Sequence, residues 1–236
     1  MTIKPITTSL ATLLLLWIAG ACTASAESAS EERPVAHFSK LVVGNGIDVY
    51  LTQAAEESLR VEVEGFALAD IVTEVADGTL RLSNTKSRTW FSGDREATVY
   101  IGFVQLSDIN ASSGSDITGR NDFTVDALAV HATSGSDIEL GVHAQTLELA
   151  ISGGSDVDVD GAVQSLKIDA SGGSDVDAGS LEADNTAVTA SGGSDANVRA
   201  TASIVIDANG GSDVVVRGDP PERTVNNDQS SDVVWR

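Results

Sequence analysis

Aspartate recurs in this sequence at a nearly constant interval, and each copy follows a serine directly. The copies are Asp116, Asp137, Asp156, Asp175, Asp195, Asp213 and, in a degenerate form, Asp232, with 18 to 21 residues from one to the next. Asp158 and Asp177 add a second carboxylate two residues after two of the copies. If the copies stack in register, about 4.8 Å separates neighbouring carboxylates, and their repulsion requires solvent screening, hydrogen-bond donors or bound cations.

Two interpretations of these carboxylates follow. Each repeated aspartate stands beside an apolar residue that would face inward, so a solvated ladder that stabilises turns is the simpler one. The sharper hypothesis is calcium binding, because calcium takes several hard oxygen ligands with flexible geometry. Its candidate ligands are Asp116, Asp137, Asp156, Asp158, Asp175, Asp177, Asp195 and Asp213. No other cofactor is predicted.

A second candidate site lies where the acidic chain becomes locally basic, between Arg81 and Phe91. Trp90 and Phe91 beside Arg88 are candidates for an exposed loop that binds a glycan or a protein, although their apolar side chains favour the plain structural interpretation. The alternative is a hydrophobic plug that closes one end of the domain.

Catalytic patterns are weak. Some proteins with repeated β-coils cleave acidic polysaccharides with paired carboxylates, and Asp156 with Asp158 would form such a pair. Each of these aspartates belongs to a repeat, however, and so has a structural reason to be there. The three histidines, His37, His131 and His143, do not show metal-ligand spacing. We therefore expect no enzyme activity.

Strand-like alternation surrounds every Ser-Asp copy, with apolar residues at every second position before the glycines and after the aspartate. The predicted inward positions are Leu128, Val130 and Ala132; Leu147, Leu149 and Ile151; Leu166, Ile168 and Ala170; Ile204, Ile206 and Ala208; Ile138 and Leu140; Val157 and Val159; Val176 and Ala178; and Val214 and Val216. Between the two strands, Ser-Gly-Gly-Ser or a related sequence turns the chain, since glycine admits positive φ.

A period of about 19 to 20 residues with two or three short strands predicts an all-β fold, a parallel β-helix or solenoid. A leucine-rich-repeat horseshoe has a similar period, but its leucine signature is missing. We assign residues 111–236 to the repeat β-helix and residues 35–110, which lack the period, to an N-terminal β segment that caps it. Trp235 is predicted to help close the last coil.

The N-terminus has the pattern of an export signal. Lys4 precedes an apolar run that is too short to span a bilayer comfortably. Two processing schemes remain open: a signal peptide over residues 1–26, or over residues 1–21 with lipid attached to Cys22, the only cysteine. We expect an exported protein of the periplasm or cell surface, or of the outer membrane if Cys22 is lipidated.

The formal net charge is −21. Removal of Lys4 with the signal leaves 13 basic and 35 acidic residues, hence −22. Such a charge argues against nucleic acid as a partner, and it leaves a lipid on Cys22 as the only predicted membrane attachment. The oligomeric state is open, although repulsion opposes lateral association.

Several segments together resemble a known bacterial family of unknown function, the head GIN domain of putative auto-transporter adhesins. The resemblance rests on Phe38–Leu51 with its Gly46-Ile47-Asp48, on Val61–Gly65, on Ile71–Leu82 and on the repeated Ser-Gly-Gly-Ser-Asp turns. It implies a right-handed parallel β-helix that is exported to the envelope, often as a lipoprotein, with a surface-binding role.

We therefore expect a non-catalytic, adhesin-like binding module at the cell envelope or surface, with an unknown surface glycan or protein as its partner. A purely structural envelope scaffold and, less favoured, a polysaccharide-active enzyme are the alternatives.

Overall fold

A computed structural model describes residues 28–65, 67–86 and 96–236. Two predictions fall outside these ranges: the signal peptide with Cys22, and the loop with Arg88, Trp90 and Phe91. Among the described residues, no helix has the length and apolar character needed to cross a membrane.

The described chain consists of β-strands and one short 3-10 turn, Leu68–Asp70. In chain order the strands are β1 (Ser28–Glu32), β2 (Lys40–Val43), β3 (Asp48–Gln53), β4 (Ser58–Glu64), β5 (Ile71–Ala76), β6 (Thr79–Asn84), β7 (Glu96–Phe103), β8 (Asp108–Ser112), β9 (Ile117–Gly119), β10 (Phe123–Thr124), β11 (Ala127–Thr133), β12 (Asp137–Ser152), β13 (Asp156–Ser171), β14 (Asp175–Ser191), β15 (Asp195–Asn209), β16 (Asp213–Arg217), β17 (Glu222–Asn227) and β18 (Asp232–Trp235). They form a solenoid of about seven turns with parallel stacking. The predicted parallel β-helix is confirmed, and no α-helix of a horseshoe occurs in the described ranges.

Parallel stacking places the strands of successive coils side by side in two sheets. The segments that follow the Ser-Asp turns form the aspartate sheet, in the order β7, β3, β9, the first parts of β12 to β15, β16 and β18. The segments that precede the turns form the opposite sheet, in the order β6, β2, β8, β11, the last parts of β12 to β15, and β17.

The N-terminal strands stack out of chain order. β3 lies between β7 and β9, and β2 lies between β6 and β8, so the coil formed early in the chain is enclosed by two later ones. Beyond β7 the aspartate sheet continues with β4 and β1, and beyond β6 the opposite sheet continues with β5, all antiparallel. Residues 28–103 therefore extend the stack and also form its outer end.

The core is a column of small and medium apolar side chains between the two sheets. Every inward position predicted from the alternation is buried in the structure. In register, Val157 lies opposite Ile138 and Val176, so like residues pack on like along the axis. This thin core suits a chain with few aromatic residues.

The turn before each repeated aspartate except Asp232 uses two consecutive residues with positive φ. In one copy these are Gly153 (φ 70°) and Gly154 (φ 68°). Since a residue with a Cβ is strained in this region, glycine is the favoured choice at both positions. Asn45 (φ 65°) and Gly46 (φ 68°) adopt the same conformation, so the turn that ends at Asp48 is a further copy.

The serine directly before each of the seven regularly spaced aspartates is buried and links one coil to the next. The N–H of Ser155 donates to Oγ of Ser174 (3.4 Å), and the N–H of Ser174 donates to Oγ of Ser194 (3.3 Å). Oγ of Ser174 in turn donates to the carbonyl oxygen of Ser171 (2.9 Å). The same N–H to Oγ bond runs along the axis from Ile47 to Ser231. We call this chain of bonds the serine ladder.

Loss of one hydroxyl from the serine ladder should destabilise the protein. Ser174→Ala leaves the buried N–H of Ser155 and the carbonyl of Ser171 without their partner, which costs about 1–3 kcal/mol. Urea denaturation should therefore show a lower midpoint than for the wild type. Ser180→Ala, at an exposed position of β14, is the control and should change the free energy of unfolding little. Equal midpoints for the two variants would mean that the ladder bonds do not stabilise the fold.

Candidate functional site

The repeated aspartates lie in one line along the outer side of the aspartate sheet. Strand register places Asp137, Asp156, Asp175, Asp195, Asp213 and Asp232 directly beside one another in sequence, and all are exposed. Asp116 precedes Asp137 in the same line, because Ile117 is opposite Ile138. The structure thus brings together the main column of predicted carboxylates.

Asp48 extends this column toward the N-terminus, since Val49 is opposite Ile117. The sequence contained the signal for it: Gly46-Ile47-Asp48 matches Gly-Ser-Asp, with isoleucine in place of the buried serine. The periodicity does not identify this isolated copy, because Asp48 and Asp116 are 68 positions apart and the repeat interval is about 19.

A second outward column runs beside the first, two residues further along each strand. Glu139, Asp158, Asp177 and Asn197 lie in register there. A shallow groove of about 330 Å³ lies between the two columns around Asp156. The predicted ligands Asp158 and Asp177 are therefore neighbours of the main column on one face.

Mutual proximity alters the acidity of several of these carboxyl groups. Partial burial, followed by the repulsion of Asp177, Glu139 and Asp160, raises the pKa of Asp158. The pKa values of Asp137 and Asp175 are raised for the same two reasons, burial first and the neighbouring aspartates of the column second. The ionised columns therefore oppose folding.

Part of this repulsion is offset by hydrogen bonds within the column. The N–H groups of Asp137, Asp213 and Asp232 lie 3.3–3.4 Å from Oδ1 of the preceding aspartate in the stack. These contacts support the interpretation of a ladder that stabilises turns. Within the described ranges, no three histidine, cysteine, aspartate or glutamate side chains converge as metal ligands. Calcium binding stays a prediction.

The same sheet face carries aromatic and guanidinium groups at its N-terminal end. Tyr50 of β3 and Tyr100 of β7, the only tyrosines in the chain, are stacked with ring centroids 5.3 Å apart. The guanidinium of Arg60 lies 4.1 Å from the centroid of Tyr100, and that of Arg120 lies 4.0 Å from the centroid of Tyr50. We call this four-layer arrangement the Arg–Tyr strip.

The two arginines of the strip differ in their surroundings. Arg60 forms an ion pair with Glu62, whereas Arg120 has no carboxylate partner among the described residues and is exposed. Reciprocal hydrogen bonds hold the backbone next to Arg120 in place: the N–H of Gln53 donates to Oδ1 of Asn121 (2.9 Å), and Nδ2 of Asn121 donates to the carbonyl of Gln53 (3.1 Å). The strip therefore presents an exposed cation beside two half-buried tyrosine rings.

A depression of about 380 Å³ adjoins Tyr100. β1, β4 and β7 line it with hydroxyl and carboxylate groups, which include Ser28, Glu62, Glu64 and Glu96. Glu64 and Glu96 lie directly opposite each other across antiparallel strands, an arrangement that disfavours two negative charges. The depression and the strip together form a polar, aromatic and charged surface of mixed sign.

The remaining sequence candidates are scattered. Arg88, Trp90 and Phe91 lie outside the described residues. His37 contacts Glu57 (Nδ1 to Oε1, 2.5 Å), and His143 pairs with Asp122 (3.5 Å), whereas His131 lies on the opposite sheet. The described histidines therefore do not converge with the aspartate column.

Comparisons with known proteins agree with this fold. Residues 37–220 match the family model described as "Putative auto-transporter adhesin, head GIN domain". The structure is similar to that of a putative adhesin from Bacteroides fragilis, with a TM-score of 0.80 and 22% identity over 89% of this chain and 97% of that one. A putative adhesin from Parabacteroides merdae gives a TM-score of 0.72 and 14% identity, with coverages of 89% and 96%. A putative lipid binding protein from Parabacteroides distasonis gives 0.65 and 15%, with coverages of 88% and 96%. No curated protein matches the sequence.

Neutralising one carboxylate of the columns should stabilise the protein at neutral pH. The pKa of Asp158 is higher in the folded chain than its ordinary value of 3.8, so its contribution to stability falls as pH rises from 3.8 through the raised pKa. Asp158→Asn should therefore raise the melting temperature at pH 7 and leave it unchanged below pH 3.8.

Asp126→Asn is the matched control, because Asp126 is exposed and lies outside both columns. Asp228, whose pKa is lowered to about 2 by hydrogen bonds from Gly210, Ser230 and Ser231, contributes stability that is lost below its ordinary value of 3.8 in every variant. A melting temperature that falls at pH 7 in Asp158→Asn would contradict the predicted repulsion.

Calcium should stabilise the chain if it bridges the carboxylate columns. At about 2 mM calcium, a concentration suited to extracellular modules, we expect a higher melting temperature than in chelator. The double variant Asp156→Asn/Asp175→Asn should lose this increase. Magnesium at the same ionic strength is the control for screening, and identical melting in calcium and chelator would exclude the site.

Proposed function

The chain belongs to the head GIN domain family of putative auto-transporter adhesins, and on that premise we propose that it is a non-catalytic, adhesin-like binding module of the cell surface. The observation that carries the proposal is the Arg–Tyr strip on the outer face of a rigid solenoid. Tyrosine and arginine are the residue types that dominate the binding energy of protein interfaces. The Arg120 guanidinium stacks on Tyr50, is exposed and has no carboxylate partner among the described residues, so it is available to pair with an acidic group of a partner.

A protein surface is the partner that this face suits best. The strip lies on a nearly flat sheet, and the adjoining depression beside Tyr100 is of a size to accept one side chain. Its glutamates favour a lysine or arginine of the partner, and the net charge of −21 steers a basic surface toward the chain. A charged side chain on each side of the strip would fix the orientation of the complex.

The proposal includes export and attachment through the N-terminus. Five residues separate Cys22 from Ser28, where β1 begins, so the two can lie at most about 22 Å apart when the chain is fully extended. A lipid on Cys22 would therefore hold the N-terminal end of the solenoid near the membrane. The C-terminal end would then point away from it.

Replacement of Arg120 should weaken binding. We expect Arg120→Ala to bind its partner about tenfold more weakly, as truncation of an interface hot spot does. The probes are collagen, fibronectin and mucin for proteins, and heparin and chitin for glycans, each immobilised and measured by surface plasmon resonance. Arg217→Ala is the matched control, because it removes the same charge from an exposed position near the other end of the sheet.

Equal affinities of the two variants would place binding away from the strip. Binding to heparin or chitin alone would replace the protein partner by a glycan. If no probe binds and antibodies do not label intact cells that express the chain, the proposed surface function is wrong. Cys22→Ser cells provide the control for attachment, since their label should move to the medium.

A further inference from the structure

The last coil of the solenoid ends in two strands that each have a neighbour on one side. β17 pairs with β15, and β18 pairs with β16; within the described ranges, neither has a partner on its other edge. Rows of unpaired backbone N–H and C=O groups of this kind are templates for the addition of another strand. The free edges of β17 and β18 are therefore places where a further strand can pair.

The inward side chains of this coil are only partly covered. Val225, opposite Ile206, is 41% exposed, and Trp235, opposite Val216, is 36% exposed, whereas Ile206 and Val216 are buried. At the other end of the solenoid the corresponding outer strand β5 buries Ile71. Among the described residues, the inward side chains of β17 and β18 are thus more exposed than Ile71 of β5.

Arg223 occupies an inward position of β17, opposite Ile204. Its guanidinium lies over the ring of Trp235, 4.3 Å from the centroid, and so crosses from the opposite sheet to the aspartate sheet. Nε donates to the carbonyl of Pro220 (2.8 Å), and a terminal nitrogen pairs with Asp219. The side chain is thereby held across the open core.

We propose that Arg223 closes the C-terminal end of the solenoid against the addition of a second copy of this chain. A second copy would have to bury the guanidinium and its partner Asp219, which is almost fully exposed at present. Burial of charge away from water is costly, and inward charges are a known protection of sheet edges. The monomer keeps both groups hydrated and still covers Trp235.

Removal of the charge would leave an apolar end that can pack against the same end of a second copy. A two-fold axis perpendicular to the solenoid axis turns each edge strand antiparallel to an edge strand of the second copy. Val225 and Trp235 of each chain then face the core of the other. The two solenoids would become one longer stack, so the dimer is end to end and not side by side.

The test compares the full chain with its variants by sedimentation velocity and small-angle X-ray scattering. The wild type should be monomeric at about 100 µM, and Arg223→Leu should dimerise at that concentration with a maximum dimension close to twice that of the monomer. Arg217→Leu, which removes the same charge from an outward position, should remain monomeric. Arg223→Glu should also remain monomeric, because an inward charge of either sign protects the edge.

Arg223→Leu/Trp235→Ser separates the proposal from a general loss of solubility, since it should return to monomer once the apolar end is made polar. Circular dichroism confirms that each variant retains the β-structure. The proposal is overturned if the folded Arg223→Leu variant stays monomeric, if its dimer is side by side, or if the wild type already forms the end-to-end dimer.

Discussion

Each coil must reverse its direction within two residues and keep the next side chain, a serine, inside the stack. Positive φ at both turn residues makes the reversal possible. The Oγ of the serine that follows accepts a hydrogen bond from the backbone N–H of the equivalent serine in the preceding coil. A buried N–H without such a partner costs about as much as a whole hydrogen bond contributes. The register of the strands that follow these turns therefore depends on the serine ladder, because a slip by one residue would put an aspartate inside.

The register that the ladder imposes also determines the electrostatics of the surface. Once the serines are stacked, the aspartates that follow them must be stacked too, and their raised pKa values reflect that proximity. The repulsion is confined to one line of exposed aspartates, where water screens it. At the N-terminal end, tyrosines and arginines replace the carboxylates of the second column, so one continuous sheet face carries two chemically different surfaces.

Sequence periodicity was sufficient for the features that each coil repeats. The inward residues, the glycine turns and the line of aspartates all followed from an interval of about 19 residues and from alternation. It did not predict the pairing of Tyr50 with Tyr100, because that contact requires β7 to stack next to β3, and no local pattern encodes the order of coils. Asp48 was missed as a member of the column for a related reason: one isolated turn with isoleucine in the serine position has no period. The inward position of Arg223 could likewise not be predicted, because it depends on the pairing of β17 with β15.

The enclosed coil of β2 and β3 has a consequence for how the chain is made. A solenoid whose coils follow chain order can fold progressively during synthesis, each coil docking on the one before. Here residues 40–53 are synthesised first. Their strands β2 and β3 gain a neighbour on both edges only after residues 79–119 have also been synthesised. The N-terminal end must therefore assemble in a single cooperative step from distant segments, whereas the remaining coils can add one at a time. Because its contacts join segments that are far apart in the sequence, this end should form more slowly than the coils that follow it.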